Sequence, residues 1–279
     1  MPTIVLAILW LSLAAAVPGA HGPTPGPTLA KEDTMHTELP EVLVSAPRVT
    51  LDEILDRIGR GERHRDSLLV DQSFLATFRI VRVPTDDRPA ELLTEVVSQV
   101  YKKRPDRVRS VTLRQWRKTP EKKGGAQVDV QFSPGMSEEI VNFAFQPEAR
   151  RDFRYHILSR DIRGNHVIYR IRFEPRSPLD PTLPNGLVWV DTNDFVIVRQ
   201  EIDFARSPVP LILKGIERMV VERERVGGYW VLKRVLLRVL GTVPLPKLGR
   251  RFDISIMFDQ YAINTGLSDT IFDAKAVKP

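Results

Sequence analysis

The chain has 279 residues, 42% hydrophobic and 27% charged, a balance that builds a folded core and excludes a disordered tail or fibrous repeat. Its formal charge of +6 suits arginine-rich solvated strand faces, with the anionic lipid headgroups of a membrane surface or an acidic partner as the alternative. The absence of cysteine excludes disulfides, thiolate metal sites and acylation through an N-terminal cysteine.

Ile4 to Val17 is an uncharged apolar run followed by Pro18, Gly19 and Ala20. That is the pattern of a signal peptide, and the run is too short to span a bilayer comfortably. Residues 1–20 are therefore expected to be removed on export, with cleavage after Ala16, Gly19 or Ala20. A cysteine-free exported chain suits a bacterial periplasm, free or associated with the outer membrane. Nucleic acid is not an expected partner there. Residues 21–48 read as a Pro/Gly-rich linker. Within it, Pro40 to Pro47 is a short extended run that suits an edge strand and also resembles the box by which outer-membrane receptors contact TonB.

One domain is expected over 49–273, with 274–279 as a tail. It opens with a helix: Thr50 and Glu53 form a capping box, and Leu51, Ile54, Leu55 and Ile58 share a face. Arg57, Arg60, Arg63 and Arg65 are expected away from that stripe, and Gly59 and Gly61 weaken the helix towards its end. Strand patterns follow. Phe74, Ala76, Phe78 and Ile80 alternate with Leu75, Thr77, Arg79 and Val81. Glu91 to Tyr101 fits a helical stripe and a strand equally well. Val167, Tyr169, Ile171 and Phe173 face one way; Arg170, Arg172 and Glu174 face the other. Leu187–Val190 and Phe195–Phe204 form a hairpin around Asp191–Asp194, and Ile216–Val226 joins Tyr229–Leu240 through Gly227-Gly228. Phe252, Ile254, Ile256 and Phe258 make the last apolar face. Successive hairpins of this length imply a broad antiparallel sheet.

Chemistry is sparse. The five histidines lack ligand spacing, and Asp191 to Ile202 fails as a calcium loop because Val196 and Ile202 stand where Gly and Glu are needed. No nucleophile elbow or phosphate-binding loop occurs. No metal or cofactor is expected. Asp191, Asp194 and Glu201 leave acid–base work open, and Trp116, Trp189 and Trp230 suit core, rim or the gate of a cavity.

The order of features resembles the periplasmic lipoprotein-carrier superfamily, the LolA/LolB-like outer-membrane lipoprotein-sorting proteins. The resemblance rests on the opening helix, Phe78-Arg79-Ile80-Val81, Tyr101 to Arg109, Tyr169 to Pro175, Gly186 to Asp191, Tyr229 to Leu232 and Tyr261 to Asn264. It implies a mainly β fold with flanking helices (α+β), the sheet curled into an incomplete barrel around an apolar cavity for acyl chains. It also implies that Val97 to Tyr101 is a strand running into a turn at Pro105. Departures are the long N-terminal extension and an apolar insert, Ser207 to Leu213. The resemblance thus implies a non-catalytic envelope protein binding a lipid, acyl chain or acylated protein. The candidate ligand residues are Phe74, Phe78, Ile80, Tyr169, Ile171, Phe173, Trp189, Phe252, Ile254 and Ile256. The alternatives are an envelope module binding a protein partner and a hydrolase without a recognisable motif.

Overall fold

Thr50 starts the first helix, α1 (Leu51–Leu68), its hydroxyl accepting the Glu53 amide at 3.2 Å. In the computed structural model, residues 49–84, 89–118, 143–164, 166–177, 183–204, 213–245 and 249–273 are described. The expected signal peptide, the 21–48 linker with its Pro40–Pro47 run, residues 207–212 of the apolar insert and the C-terminal tail lie outside them. Ile54, Leu55 and Ile58 are at most 2% exposed, so the predicted stripe is the buried one. The helix continues past its two glycines to Leu68. Gly61 is where the turn after Asp191 presses closest: a Cβ there would lie 2.4 Å from the Asp194 carbonyl oxygen and 2.5 Å from that of Phe195. Arg65, expected among the solvent arginines, is buried, its Nε donating to the Trp230 carbonyl at 2.9 Å. Its position explains this, because residues 54, 58, 61, 62 and 65 lie on one helical face.

Ten strands follow: β1 (Asp71–Arg82), β2 (Glu91–Lys103), β3 (Arg107–Arg117), β4 (Phe153–Arg163), β5 (His166–Pro175), β6 (Asn185–Asp191), β7 (Val196–Asp203), β8 (Leu213–Val226), β9 (Tyr229–Leu245) and β10 (Gly249–Ile263). A one-turn helix, α2 (Thr270–Asp273), comes last. The strands form one antiparallel sheet in the order β3-β2-β1-β10-β9-β8-β7-β6-β5-β4. It is built of neighbouring hairpins plus one long-range join, β1 to β10, with Phe78 opposite Ile256 and Ile80 opposite Ile254. Among the described residues β3 and β4 do not pair, so the sheet stays open. This is the mainly β, incompletely closed architecture expected. The ambiguous Glu91–Tyr101 segment is strand β2, held between β1 and β3, and it runs into the turn at Pro105.

The join is clasped at one end. Asp71 accepts the backbone amides of Thr265, Gly266 and Leu267 at 2.9–3.3 Å. In return the Asn264 side chain accepts the amides of Val70 and Asp71 and donates to the Leu68 carbonyl. The outer face carries charge: Glu201 accepts from Arg199 and Arg218, and Glu222 from Arg199 and Arg234. Burial pushes both carboxyls up, but the guanidinium hydrogen bonds and charges outweigh it and hold them below the ordinary glutamate range.

Phe173 on β5 is fully buried, edge-on to Phe143, Phe145 and Phe153 with centroids 5.7–5.9 Å away. Gly186 makes room for it, since a Cβ there would sit 2.5 Å from the Phe173 ring. Arg172 points outward. Phe173→Ala should cost about 3–5 kcal/mol in denaturant unfolding, whereas Arg172→Ala should stay within about 0.5 kcal/mol of wild type. The two helix glycines should respond with opposite signs. Gly59, whose nearest neighbours to a new Cβ lie at 3.6 and 3.7 Å, should gain about 0.5–1 kcal/mol on change to Ala. Gly61→Ala should lose about 1–3 kcal/mol, because backbone oxygens must move. Thermal midpoints of the two variants check the ranking.

Candidate functional site

Alternation puts one side chain in two from each strand on the face that α1 covers. Pairing aligns these into rows. One row runs Ile80, Ile254, Leu237, Met219, Ile202; the next runs Val96, Phe78, Ile256, Val235, Val221, Gln200, Val188, Ile171. With α1 and the turn at Phe143–Phe145 they make a single core. Nine of the ten candidate ligand residues belong to it. Phe74, Phe78, Ile80, Tyr169, Ile171, Phe173, Phe252 and Ile254 are buried, and Ile256 packs against them partly buried. Phe74 meets Phe258 and Tyr261 at ring-centroid distances of 5.7 and 5.0 Å. Trp189 is the exception. It lies between Val188 and Val190 in sequence and so faces outward, with the Arg199 guanidinium 5.3 Å from its ring centroid.

Among the buried polar side chains on this face, two features bear on what it can do. Neither stands out in the sequence. The first is Glu62 of α1 with Arg223 of β8, 2.7 Å apart and both almost wholly buried. The ladder between β7 and β8 covers only Arg199 to Ile202 of β7. Just before it, Ile197 gives its amide hydrogen to Glu62 Oε1 at 2.8 Å and receives Arg223 Nη1 at its carbonyl at 3.0 Å. The ion pair thus replaces missing rungs of the sheet. The second is Gln200, fully buried in the middle of its row, with neither amide atom hydrogen-bonded. Such a group carries a desolvation cost until something meets it.

Other candidates lie elsewhere. His166 Nδ1 and Asp191 Oδ2 are 2.7 Å apart at the β5 start and β6 end, and Asp191 also accepts the Asn193 amide, so this pair shapes a turn. Asp194 accepts the Trp230 indole at 2.8 Å, and Glu201 sits in the outer arginine network. Trp230 packs at the helix end, and Trp116 is exposed on β3. The Tyr155 hydroxyl donates to the Ala144 carbonyl, and burial pushes its pKa well up. Among the described residues no three His, Asp or Glu side chains gather as a metal site, and no helix is long and apolar enough to cross a membrane.

The described residues thus form an open antiparallel sheet packed against α1, with an apolar inner face. No family model and no curated protein matches the chain. Solved structures do. It is similar to a DUF1329 family protein from Desulfovibrio piger, at 13% identity and TM-score 0.41 over 78% of this chain and 96% of that one. A putative outer membrane lipoprotein-sorting protein domain from Vibrio parahaemolyticus follows, at 12% identity and TM-score 0.34 over 78% and 95%. A LolA superfamily protein from Nitrosomonas europaea matches at 13% identity and TM-score 0.31 over 80% and 97%. At these scores the likeness is one of broad architecture, and function has to be argued from the chain's own residues.

Removing one member of the buried pair should be costly and removing its charge partner as well should restore part of the loss. Arg223→Met is expected to lose about 3–5 kcal/mol, leaving Glu62 charged and alone. Adding Glu62→Gln removes that charge but keeps an acceptor for the Ile197 amide, so the double variant should unfold at higher denaturant than Arg223→Met.

Proposed function

We infer that this chain is an exported, non-catalytic protein that binds a molecule with a long apolar chain and one polar group. The Gln200 amide carries the reading. A core evolved only for packing has no use for a fully buried amide with no hydrogen-bond partner, flanked in register by Val188 and Val221. A ligand with an apolar chain and a carbonyl or carboxyl group supplies what the row lacks on both counts. The chain would lie along Phe78, Ile80, Ile254 and Ile256, contributing about 0.8 kcal/mol per buried methylene. Its polar group would meet Gln200. The open edge between β3 and β4 supports entry, because an unclosed sheet can part from α1 without breaking a closed ring of rungs. Export rests on the Ile4–Val17 run and the small residues after it.

Protein recovered from the periplasm of the native host, with its N-terminus at residue 17, 20 or 21, should be delipidated and titrated with a fluorescent fatty acid. Saturable binding is expected, weakened by the bulkier inner-face side chains of Phe78→Trp and Ile254→Trp. Gln200→Leu should raise unfolding free energy by about 1–3 kcal/mol and yet lower probe affinity about tenfold. A wild type that starts at Met1, or that is folded and lipid-free but binds no probe, would sink this reading and favour a protein-binding module.

A further inference from the structure

Strand β3 is the outermost on its side of the sheet, and nine of its eleven residues are exposed. Val108, Val111, Leu113 and Trp116 stand 36–60% exposed there, an unusual display for a strand edge. Register places Arg107, Arg109, Val111, Arg114 and Trp116 on the outer face, beside Lys103, Tyr101, Gln99, Val97 and Glu95 of β2. Leu113 occupies a bulge between the Val97 and Ser98 pairings.

Charge gathers at the same place. Residues 91–118 hold eight Lys and Arg against three Asp and Glu, so this hairpin carries +5 where the whole chain carries +6. Asp269 and Asp273, which α2 and the preceding turn bring alongside, and Arg79, which bonds to Glu95, leave an excess of +4. Arg114 and Arg107 pair with Glu95 and Asp269 but are 68% and 44% exposed, so solvent and any anion can compete for them.

Charged edge residues often serve to repel a second strand. Four large apolar side chains on the same strand work against that purpose. A partner strand added along β3 would also lose register at the Leu113 bulge. Arginine interspersed with Trp and aliphatic residues over a strand face is instead the composition that seats at the headgroup level of an anionic bilayer, charges on phosphate and apolar side chains just below. We propose that the outer face of the β2–β3 hairpin is a docking surface for an anionic phospholipid membrane, with Arg107 and Arg114 meeting the headgroups and Leu113 and Trp116 inserting at the interface. This goes beyond the inner-face site and does not depend on it.

The test is co-sedimentation of the full chain with vesicles of phosphatidylcholine alone, and with roughly one-third phosphatidylglycerol, at low salt and at about 0.5 M salt. Binding to the anionic vesicles should be about tenfold or more stronger and should fall at high salt. The double variants R107Q/R114Q and L113S/W116S should each lose about tenfold, with circular dichroism and thermal midpoints unchanged. Ile162→Ser, at an exposed apolar residue on the opposite edge strand, should bind like wild type. Brominated acyl chains should quench tryptophan emission in the wild type, and Trp116→Phe should abolish that quenching; this arm stands even if a double variant misfolds. Equal binding to both vesicles, unchanged binding in both double variants, or quenching indifferent to Trp116 would overturn the proposal. Retention on a polyglutamate matrix without vesicle binding would overturn it in favour of an acidic protein partner.

Discussion

A carboxylate on a helix can take the place of a missing strand, and Glu62 does so. Once β7 parts from β8 ahead of Arg199, the Ile197 amide and carbonyl are left inside the protein without a rung. Buried backbone groups must find partners, so Glu62 and Arg223 are brought in as a charged pair that bonds to both. That requirement fixes the helix in height and in rotation. It sets Gly61 against the carbonyls of Asp194 and Phe195, which leaves no space for a side chain. It also turns Arg65 inward to Trp230 and seats Ile54, Leu55 and Ile58 over the apolar rows. Movement of α1 away from the sheet, which the proposed ligand entry would require, must disturb this contact.

Much of the sheet could be read from local pattern. Alternation in β1, β5 and β10 placed Phe78, Phe173 and Ile254 on the buried side, and the Gly227-Gly228 turn has the positive φ values, 56° and 91°, that tight hairpins need. Trp189 is legible too, since it lies out of phase with Val188 and Val190 and therefore faces outward. Period could not decide Glu91 to Tyr101. Its strand character comes from pairing on both sides, with β1 and with β3, and no window of eleven residues contains that information. Glu62, Arg223 and Gln200 were out of reach for a different reason. A charged or amide residue on a strand or helix reads as solvent-facing unless its distant partners are known, and Glu62 and Arg223 are 161 residues apart. Polar residues in a core carry little local signal.

The two faces of the sheet divide the labour. The inner one offers an apolar row with a single unmet amide; the outer one offers balanced arginine–glutamate networks over β7 to β9 and an unbalanced, apolar-studded surface at β3. A molecule that takes up acyl chains has to find them where they are kept. A surface that settles on an anionic bilayer next to the open sheet edge shortens that search, and the two proposals are therefore compatible without one implying the other.

The pairing of β1 with β10, locked by Asp71 and Asn264 across some 194 residues, also has a kinetic consequence. The hairpins β4–β5 and β8–β9 can form as soon as each is complete. The first three strands can pair among themselves, but β1 has no neighbour on its other side until the last strand has emerged, so closure of this long loop comes late and slowly. If the chain is exported as proposed, a sheet completed only when β10 arrives would suit threading through a translocation channel, where premature closure would stall it.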